Sequence, residues 1–248
     1  MLETALPKGL VEGLGALGRQ QGATMFMTML AGFECLMHYS TGQNDIVLGT
    51  DLANRASVET ESLIGFFVNL LPLRVDLSGD PSFLELINKV REVSLSAYAH
   101  QDVTFDKLVE ELKPERNLSY SPLVQVLFVQ QNTPRSTATM PGIEMSRFRM
   151  EVQSKFDMAV FMRETDREVV GWWQYNPDLF DETTISRLAA SYELILQAAI
   201  SNPKARVSSL CELLAEADKN RRGSDQVKVQ KAGLEKLKKI RRKAVADA

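Results

Sequence analysis

Cysteine and histidine are scarce, at two residues each in 248. Cys35 and Cys211 stand far apart in helix-like stretches, which excludes a disulfide framework and any Cys/His metal spacing. A reducing cytoplasm is the expected location. His38 and His100 are not adjacent, so the chain holds no His-His pair. A long hydrophobic run is also missing. The longest, Ala23 to Met37, contains Glu34 and is too short to cross a bilayer. Met1-Leu2-Glu3 lacks the basic start and apolar core of a secretion signal. No Ser-His-Asp arrangement or metal cluster is legible, and the glycines at 9, 13, 15, 18 and 22 follow no strand, so they make no nucleotide fingerprint. Basic residues are not interleaved with aromatics outside the tail, which argues against nucleic acid.

What is present is ordinary globular material. Hydrophobic residues make up 44% and charged residues 25%, enough for a sizeable core. The net charge of −3 hides an asymmetry. From Lys219 onward eleven basic residues face three acidic ones, giving +8; the remainder holds 18 basic and 29 acidic residues, giving −11. An acidic body carries a basic tail.

Helical spacing appears over Leu10 to Gln20, and more strongly in Met25, Met29, Phe33, Leu36 and Met37. Ile46 to Thr50 reads as a short buried strand, and Glu59 to Leu63 as a short helix. Asp80-Pro81-Ser82 predicts a helix start, with Asp80 as N-cap and Pro81 at N1, and a buried stripe of Phe83, Ile87, Val90 and Tyr98. Thr104 can cap a short helix burying Leu108 and Leu112. Leu123 to Gln130, Glu144 to Val152, Phe156 to Arg163 and Glu168 to Tyr175 are strand candidates, separated by a polar loop from Asn132 to Gly142 and a turn over Glu164 to Arg167. Alternation places Asp157, Ala159, Phe161 and Arg163 on one face, and sets Trp172 and Trp173 on opposite faces. Asp181 to Thr184 starts a helix buried through Ile185, Leu188, Tyr192, Ile195 and Ala199. Val207 to Ala217 is a further short helix, then a linker. Leu234, Leu237, Ile240 and Ala244 form a narrow stripe on a basic helix.

Three stretches carry a more specific signal. In Ile64 to Arg74, the apolar run Phe66 to Leu73 reads as a buried strand interrupted by Asn69 and closed by Arg74. A buried Asn finds partners or costs about 1–3 kcal/mol, so Asn69 either fixes neighbouring backbone or faces a channel. The others are His100-Gln101-Asp102-Val103-Thr104-Phe105-Asp106 and the run from Arg116 to Phe128.

In order and spacing these stretches resemble the C-terminal half of a condensation domain of non-ribosomal peptide synthetases, with its IGxFVNTxxxR, HQDxPFE and RxxSxxPLFQVxF motifs. Lys155-Phe156-Asp157 and Tyr175 to Asp181 resemble that family's later strands, and the likeness runs from about Leu6 to about Leu214. The family's HHxxxDG motif, whose second His is the usual catalytic residue, is missing. The resemblance implies an α/β two-layer sandwich, one lobe of the chloramphenicol-acetyltransferase-like, CoA-dependent acyltransferase fold. A mixed or antiparallel-rich sheet would carry helices on one face. It implies a domain over 1–217, followed by a basic linker and amphipathic helix over 218–248, a candidate start of a further domain.

The same resemblance implies chemistry between two acyl groups held on phosphopantetheine arms, the arm being presented by a carrier protein and no cofactor or metal being bound directly. No catalytic residue is assigned. Asn69, Arg74 and Asp157 are channel or interlobe candidates. Arg74 would pair with the Asp of the missing motif, and Asp157 either lies on the acceptor side or is a satisfied strand residue. His100, Asp102 and Arg116 are structural members of the motifs. Arg55 either holds a carboxylate or anchors its loop. Lys236, Lys239, Arg241 and Arg242 in the tail are candidates for binding a partner.

The implied function is a non-catalytic docking module for a carrier protein or a tailoring enzyme such as an iron- and oxoglutarate-dependent oxygenase. The alternative is the C-terminal lobe of a peptide-bond-forming domain, active only with its N-terminal lobe. A third reading is a self-sufficient acyltransferase using an unrecognised base, for which loss of activity in a His100→Ala variant would support His100. A lone lobe exposes the surface that meets its partner lobe, so a homodimer through that face or a tightly bound partner is expected. Neither membrane nor nucleic acid is expected as a partner.

Overall fold

The first strand, β1 (Leu2–Leu6), pairs antiparallel with one of the last, joining the two ends of the domain. The computed structural model describes residues 1–53, 63–115, 117, 119–131, 154–165 and 168–223. Arg55, most of the 59–63 helix, Arg116, the 132–142 loop, the 144–152 strand, residues 166 and 167, and the basic tail from 224 lie outside the described residues.

After β1 come α1 (Lys8–Gln20), α2 (Met25–Thr41), β2 (Asp45–Leu52), β3 (Asn69–Asp76), α3 (Phe83–Ala99), α4 (Phe105–Leu112), β4 (Val126–Gln130), β5 (Met158–Glu164), β6 (Val169–Tyr175) and α5 (Glu182–Ser201). A final helix, α6, covers 207–223. The six strands form one sheet in the order β1-β6-β5-β4-β2-β3. Pairs β1/β6, β5/β6 and β2/β3 are antiparallel, and β4/β5 and β2/β4 are parallel. This is the mixed sheet with helices packed on one face that the sequence leads one to expect.

Alternation decides which side chains enter the core. Leu71, Leu73 and Val75 of β3 are buried, as are Met158, Val160 and Met162 of β5, which turn inward with Leu73 and Val75 against α2, α3 and α5. Helix α2 is buried without interruption from Phe26 to Met37, so it is the central helix rather than one with a single buried stripe. Its N-cap Thr24 accepts a hydrogen bond from Met27 N at 3.2 Å, and Gly42 closes it with φ of 70°. Phe33 sits 4.9 Å from Phe128, 5.8 Å from Tyr192 and 5.9 Å from Trp173, centroid to centroid. The Tyr192 hydroxyl donates to Met29 O at 2.9 Å, which satisfies the polar end of a buried ring. Gly32 permits this closeness: a Cβ there would stand 2.5 Å from Leu196 Cδ2.

The start of α3 departs from expectation. Ser82, not Asp80, is the N-cap, in a capping box with Glu85: Glu85 N donates to Ser82 Oγ at 3.3 Å, and Ser82 N donates to Glu85 Oε2 at 2.7 Å. Asp80 takes the left-handed region (φ 52°) and turns to α6, where its carboxylate accepts from Ser208 N and Ser208 Oγ, each at 2.8 Å. Those bonds hold the Asp80 carboxyl below its ordinary range. Helix α6 continues beyond 217. Asp218 accepts from Tyr39 Oη at 2.8 Å and from Arg221 Nη2 at 2.7 Å, and Arg221 also reaches Ser191 Oγ at 3.1 Å. The other starts agree with the sequence: Thr104 caps α4 and Asp181 caps α5.

Candidate functional site on the sheet face away from the helices

The second sheet face carries the alternate residues of the strands. Its centre is a small apolar cluster built on Val124, Leu127, Val129 and Ala159, with Phe105, Phe156 and Phe161 packed around it. Gly49 lets β2 approach β4 here, because a Cβ would fall 2.5 Å from Leu127 Cδ2 and 2.6 Å from Val124 Cγ1. Among the described residues only α4 borders this face. No residue of α4 is buried, and Leu112 is 63% exposed. The expected burial of the pair is not met: Leu108 is half-buried and Leu112 is exposed.

Strand β3 begins at Asn69, not at Phe66. Ile64 and Phe66 before it are 104% and 92% exposed, which corrects the reading of that run as buried strand. Asn69 itself is buried and well used. Its Nδ2 donates to Gln101 O and Val103 O, both at 2.9 Å, and its Oδ1 accepts from Phe105 N at 3.2 Å. It therefore ties the turn after α3 and the start of α4 to the sheet edge. Both amide protons are spent on backbone, which leaves Asn69 no donor for a channel ligand.

Arg74 pairs with Asp45 in a two-pronged contact, Nε to Oδ1 at 2.8 Å and Nη2 to Oδ2 at 2.6 Å. The guanidinium lowers the Asp45 carboxyl from its usual range. The pair is on the surface, with side chains 73% and 50% exposed, and contributes little to stability. Asp157 lies half-buried just before β5, with the parity of Phe161. Its backbone N–H donates to Gln125 O and its carbonyl accepts from Asn176 N, both at 3.0 Å, and partial burial raises its carboxyl. Asp51, near the end of β2, is raised for the same reason.

Asp102 is exposed. His100 ends α3 with Nδ1 2.8 Å from Ser96 O, and His38 near the end of α2 has Nδ1 2.7 Å from Gln43 O. Both rings serve helix ends. Arg116 and the tail residues Lys236, Lys239, Arg241 and Arg242 lie outside the described residues. Among the described residues no three His, Cys, Asp or Glu converge as a metal group would require, and no helix is long and apolar enough to cross a membrane.

One polar array escaped the sequence reading. Glu3, Trp172, Arg163 and Gln131 stand side by side across β1, β6, β5 and the end of β4. Trp172 Nε1 donates to Glu3 Oε2 at 3.2 Å, the Arg163 guanidinium lies 5.3 Å from the Trp172 ring centre, and Arg163 Nη2 donates to Gln131 Oε1 at 2.7 Å. The register Glu3↔Trp172 and Phe161↔Trp172 brings them together. The signal lay only in strand parity, which had placed Arg163 and Trp172 without their neighbours.

A mixed sheet, helix-covered on one face and carrying an apolar cluster between polar margins on the other, defines one lobe of the acyltransferase sandwich. The condensation-domain profile matches residues 2–221, and the chain belongs to that family. It is 46% identical over 210 residues to a linear gramicidin synthase of Brevibacillus parabrevis, covering 84% of this chain and 3% of that protein. It is 38% identical over 215 residues to chondramide synthase cmdD of Chondromyces crocatus, covering 85% of this chain and 5% of that one. The X-domain solved in complex with OxyB from teicoplanin biosynthesis superposes with a TM-score of 0.77 at 30% identity, over 84% of this chain and 47% of that one. The condensation domain of the monacolin K polyketide synthase MokA shares the fold, with a TM-score of 0.74 at 21% identity, over 83% and 48%. The chain thus spans a few per cent of these curated relatives and about half of these solved chains.

Proposed function

We propose that this lobe is a non-catalytic docking module of a peptide-synthetase assembly line, receiving a carrier protein and its phosphopantetheine arm, or a tailoring enzyme. The observation that carries the reading is the placement of the two histidines. Each is hydrogen-bonded to a carbonyl at its own helix end, and neither lies on the strands whose alternate residues form the second sheet face. A general base must reach the reacting proton within hydrogen-bond distance, and no such imidazole is offered there. The structurally similar X-domain, solved with OxyB, supports an enzyme partner of the tailoring kind. The test is calorimetry with a phosphopantetheinylated carrier protein, with and without residues 224–248, beside a thioester-transfer assay. Saturable binding without transfer is the expected result. Loss of affinity with salt and with tail removal would place the attraction in the tail's charge. Acyl transfer by this chain alone, or no binding, would overturn the reading.

A second reading is favoured by the full exposure of Ile64 and Phe66 on a chain that spans about half of its solved relatives. In it the lobe is one half of a peptide-bond-forming domain. Supplying an N-terminal half in trans would then produce transfer activity that neither half shows alone.

A further inference from the structure

On the helix-covered side of the sheet, the edge strand β1 and α5 leave a groove between them. Its floor includes Leu6, Trp173 and Tyr192, all buried. Its rim includes Ser186 and Ala190, both exposed, so it is open to solvent. The cavity measures about 260 Å³, room for an aliphatic side chain. Glu193 is the only charged residue among the described ones that line it, and Gln197 Nε2 donates to its Oε1 at 3.0 Å. The C-terminal end of α6 is fixed to the same helix. Arg221 Nη2 donates to Ser191 Oγ at 3.1 Å, and Ser191 stands between Ala190 and Tyr192 in α5. Gly223, two residues on, is the last described residue. From Ser224 eight basic residues face three acidic ones, whereas residues 1–223 hold 21 basic and 29 acidic. In that tail Leu234, Leu237 and Ile240 recur at the spacing of one helix side, among Lys236, Lys238, Lys239, Arg241 and Arg242.

We infer that the groove between β1 and α5 is the seat of this chain's own tail, residues 224–248. The apolar side chains of 234–240 enter the cavity, and a cation beside them meets Glu193. An apolar groove with one negative charge complements an apolar stripe flanked by positive ones. The tail also starts close enough. Its first ten residues, Ser224 to Gly233, reach about 30 Å when extended, and a helix such as α5 is only about 10–12 Å across. So short a tether holds the tail at an effective concentration on the order of millimolar, which favours it over a separate partner. The contact is independent of the docking reading, because neither a carrier protein nor a tailoring enzyme takes part in it.

The experiment couples carboxylates to lysines in the full chain with a water-soluble carbodiimide, using an equal mixture of light and heavy-isotope chains. Glu193 should join a lysine of 228–243 within one chain, light to light and heavy to heavy. A second readout is thermolysin, which cuts before bulky apolar residues and so has sites at Leu234, Leu237 and Ile240. Ala190→Arg places bulk and a like charge on the exposed rim, and Glu193→Lys reverses the charge of the groove. Each should speed cleavage within 224–248 by at least about tenfold, the loss of one charge-assisted contact. Far-UV circular dichroism confirms the fold of both variants. Coupling of Glu193 only between light and heavy chains would seat the tail on a second copy and overturn the inference. So would the absence of Glu193 coupling to the tail, or cleavage of the unaltered chain as fast as that of the two variants.

Discussion

Glu34 is the residue whose surroundings conflict most with its chemistry. It is fully buried in α2, and neither carboxylate oxygen has a hydrogen-bond partner. Burial pushes its carboxyl well above the ordinary range. The folded state therefore holds the Glu34 proton more tightly than the unfolded state does. Stability is fully present below the unfolded pKa of about 4.3 and falls as pH rises from there towards the folded value. Glu34→Met should stabilise the fold by about 1–3 kcal/mol at neutral pH, with a smaller gain below pH ~4. Urea midpoints across pH 4–8 check both size and slope. Asn69→Ala works in the opposite sense. It strips partners from Gln101 O, Val103 O and Phe105 N, and should cost about 2–3 kcal/mol in the same assay.

At the scale of elements, the sequence revealed a good part of the fold because the signals were local. Thr104 and Asp181 as caps, the Tyr192 stripe of α5, and the opposed faces of Trp172 and Trp173 all follow from residues a few positions apart. The failures were non-local. Asp80 carries a good N-cap signal before α3, yet the start of α6, whose backbone N–H groups need acceptors, claims it from 128 residues away in sequence. Ile64 and Phe66 look buried because apolar runs usually are, whereas burial requires a covering layer. The array of Glu3, Gln131, Arg163 and Trp172 depends on strand register, which no single stretch specifies. Asn69 was legible as a residue in need of partners, but its partners were not. Element contacts also make a sharp prediction at Gly49. Gly49→Val would drive a side chain into Leu127 and Val124 and should cost about 2–4 kcal/mol, read as a lower thermal midpoint.

For the whole molecule, the asymmetry between the two sheet faces governs behaviour in solution. One face is sealed by helices, while ahead of β3 Leu63, Ile64, Phe66 and Val68 are 51%, 104%, 92% and 45% exposed. Such surface drives association. If the expected homodimer forms through it, Ile64→Ser with Phe66→Ser should return the light-scattering mass to that of a monomer. The unfolding midpoint should move by no more than about 0.5 kcal/mol equivalent, because neither side chain is buried in the protomer. A monomer mass for the unaltered chain at high concentration would count against self-association and leave the surface to a different partner.

The sheet is also unevenly stitched. Strands β2 and β3 are paired over eight positions and β4 and β5 over five, but β2 meets β4 in register only at Gly49 and Leu127. That seam divides the sheet into a two-stranded ribbon and a four-stranded block, held across it by the packing of Val47 and Leu70 with Val124 and Leu127. Amide hydrogens of the ribbon should consequently exchange with solvent through a lower-energy opening than those of β5 and β6, as a separate cooperative unit. The ribbon carries Asn69, so opening at the seam would take the anchored turn and α4 with it. Any protein that settles over this face would then have one hinged wall and one fixed wall to grip.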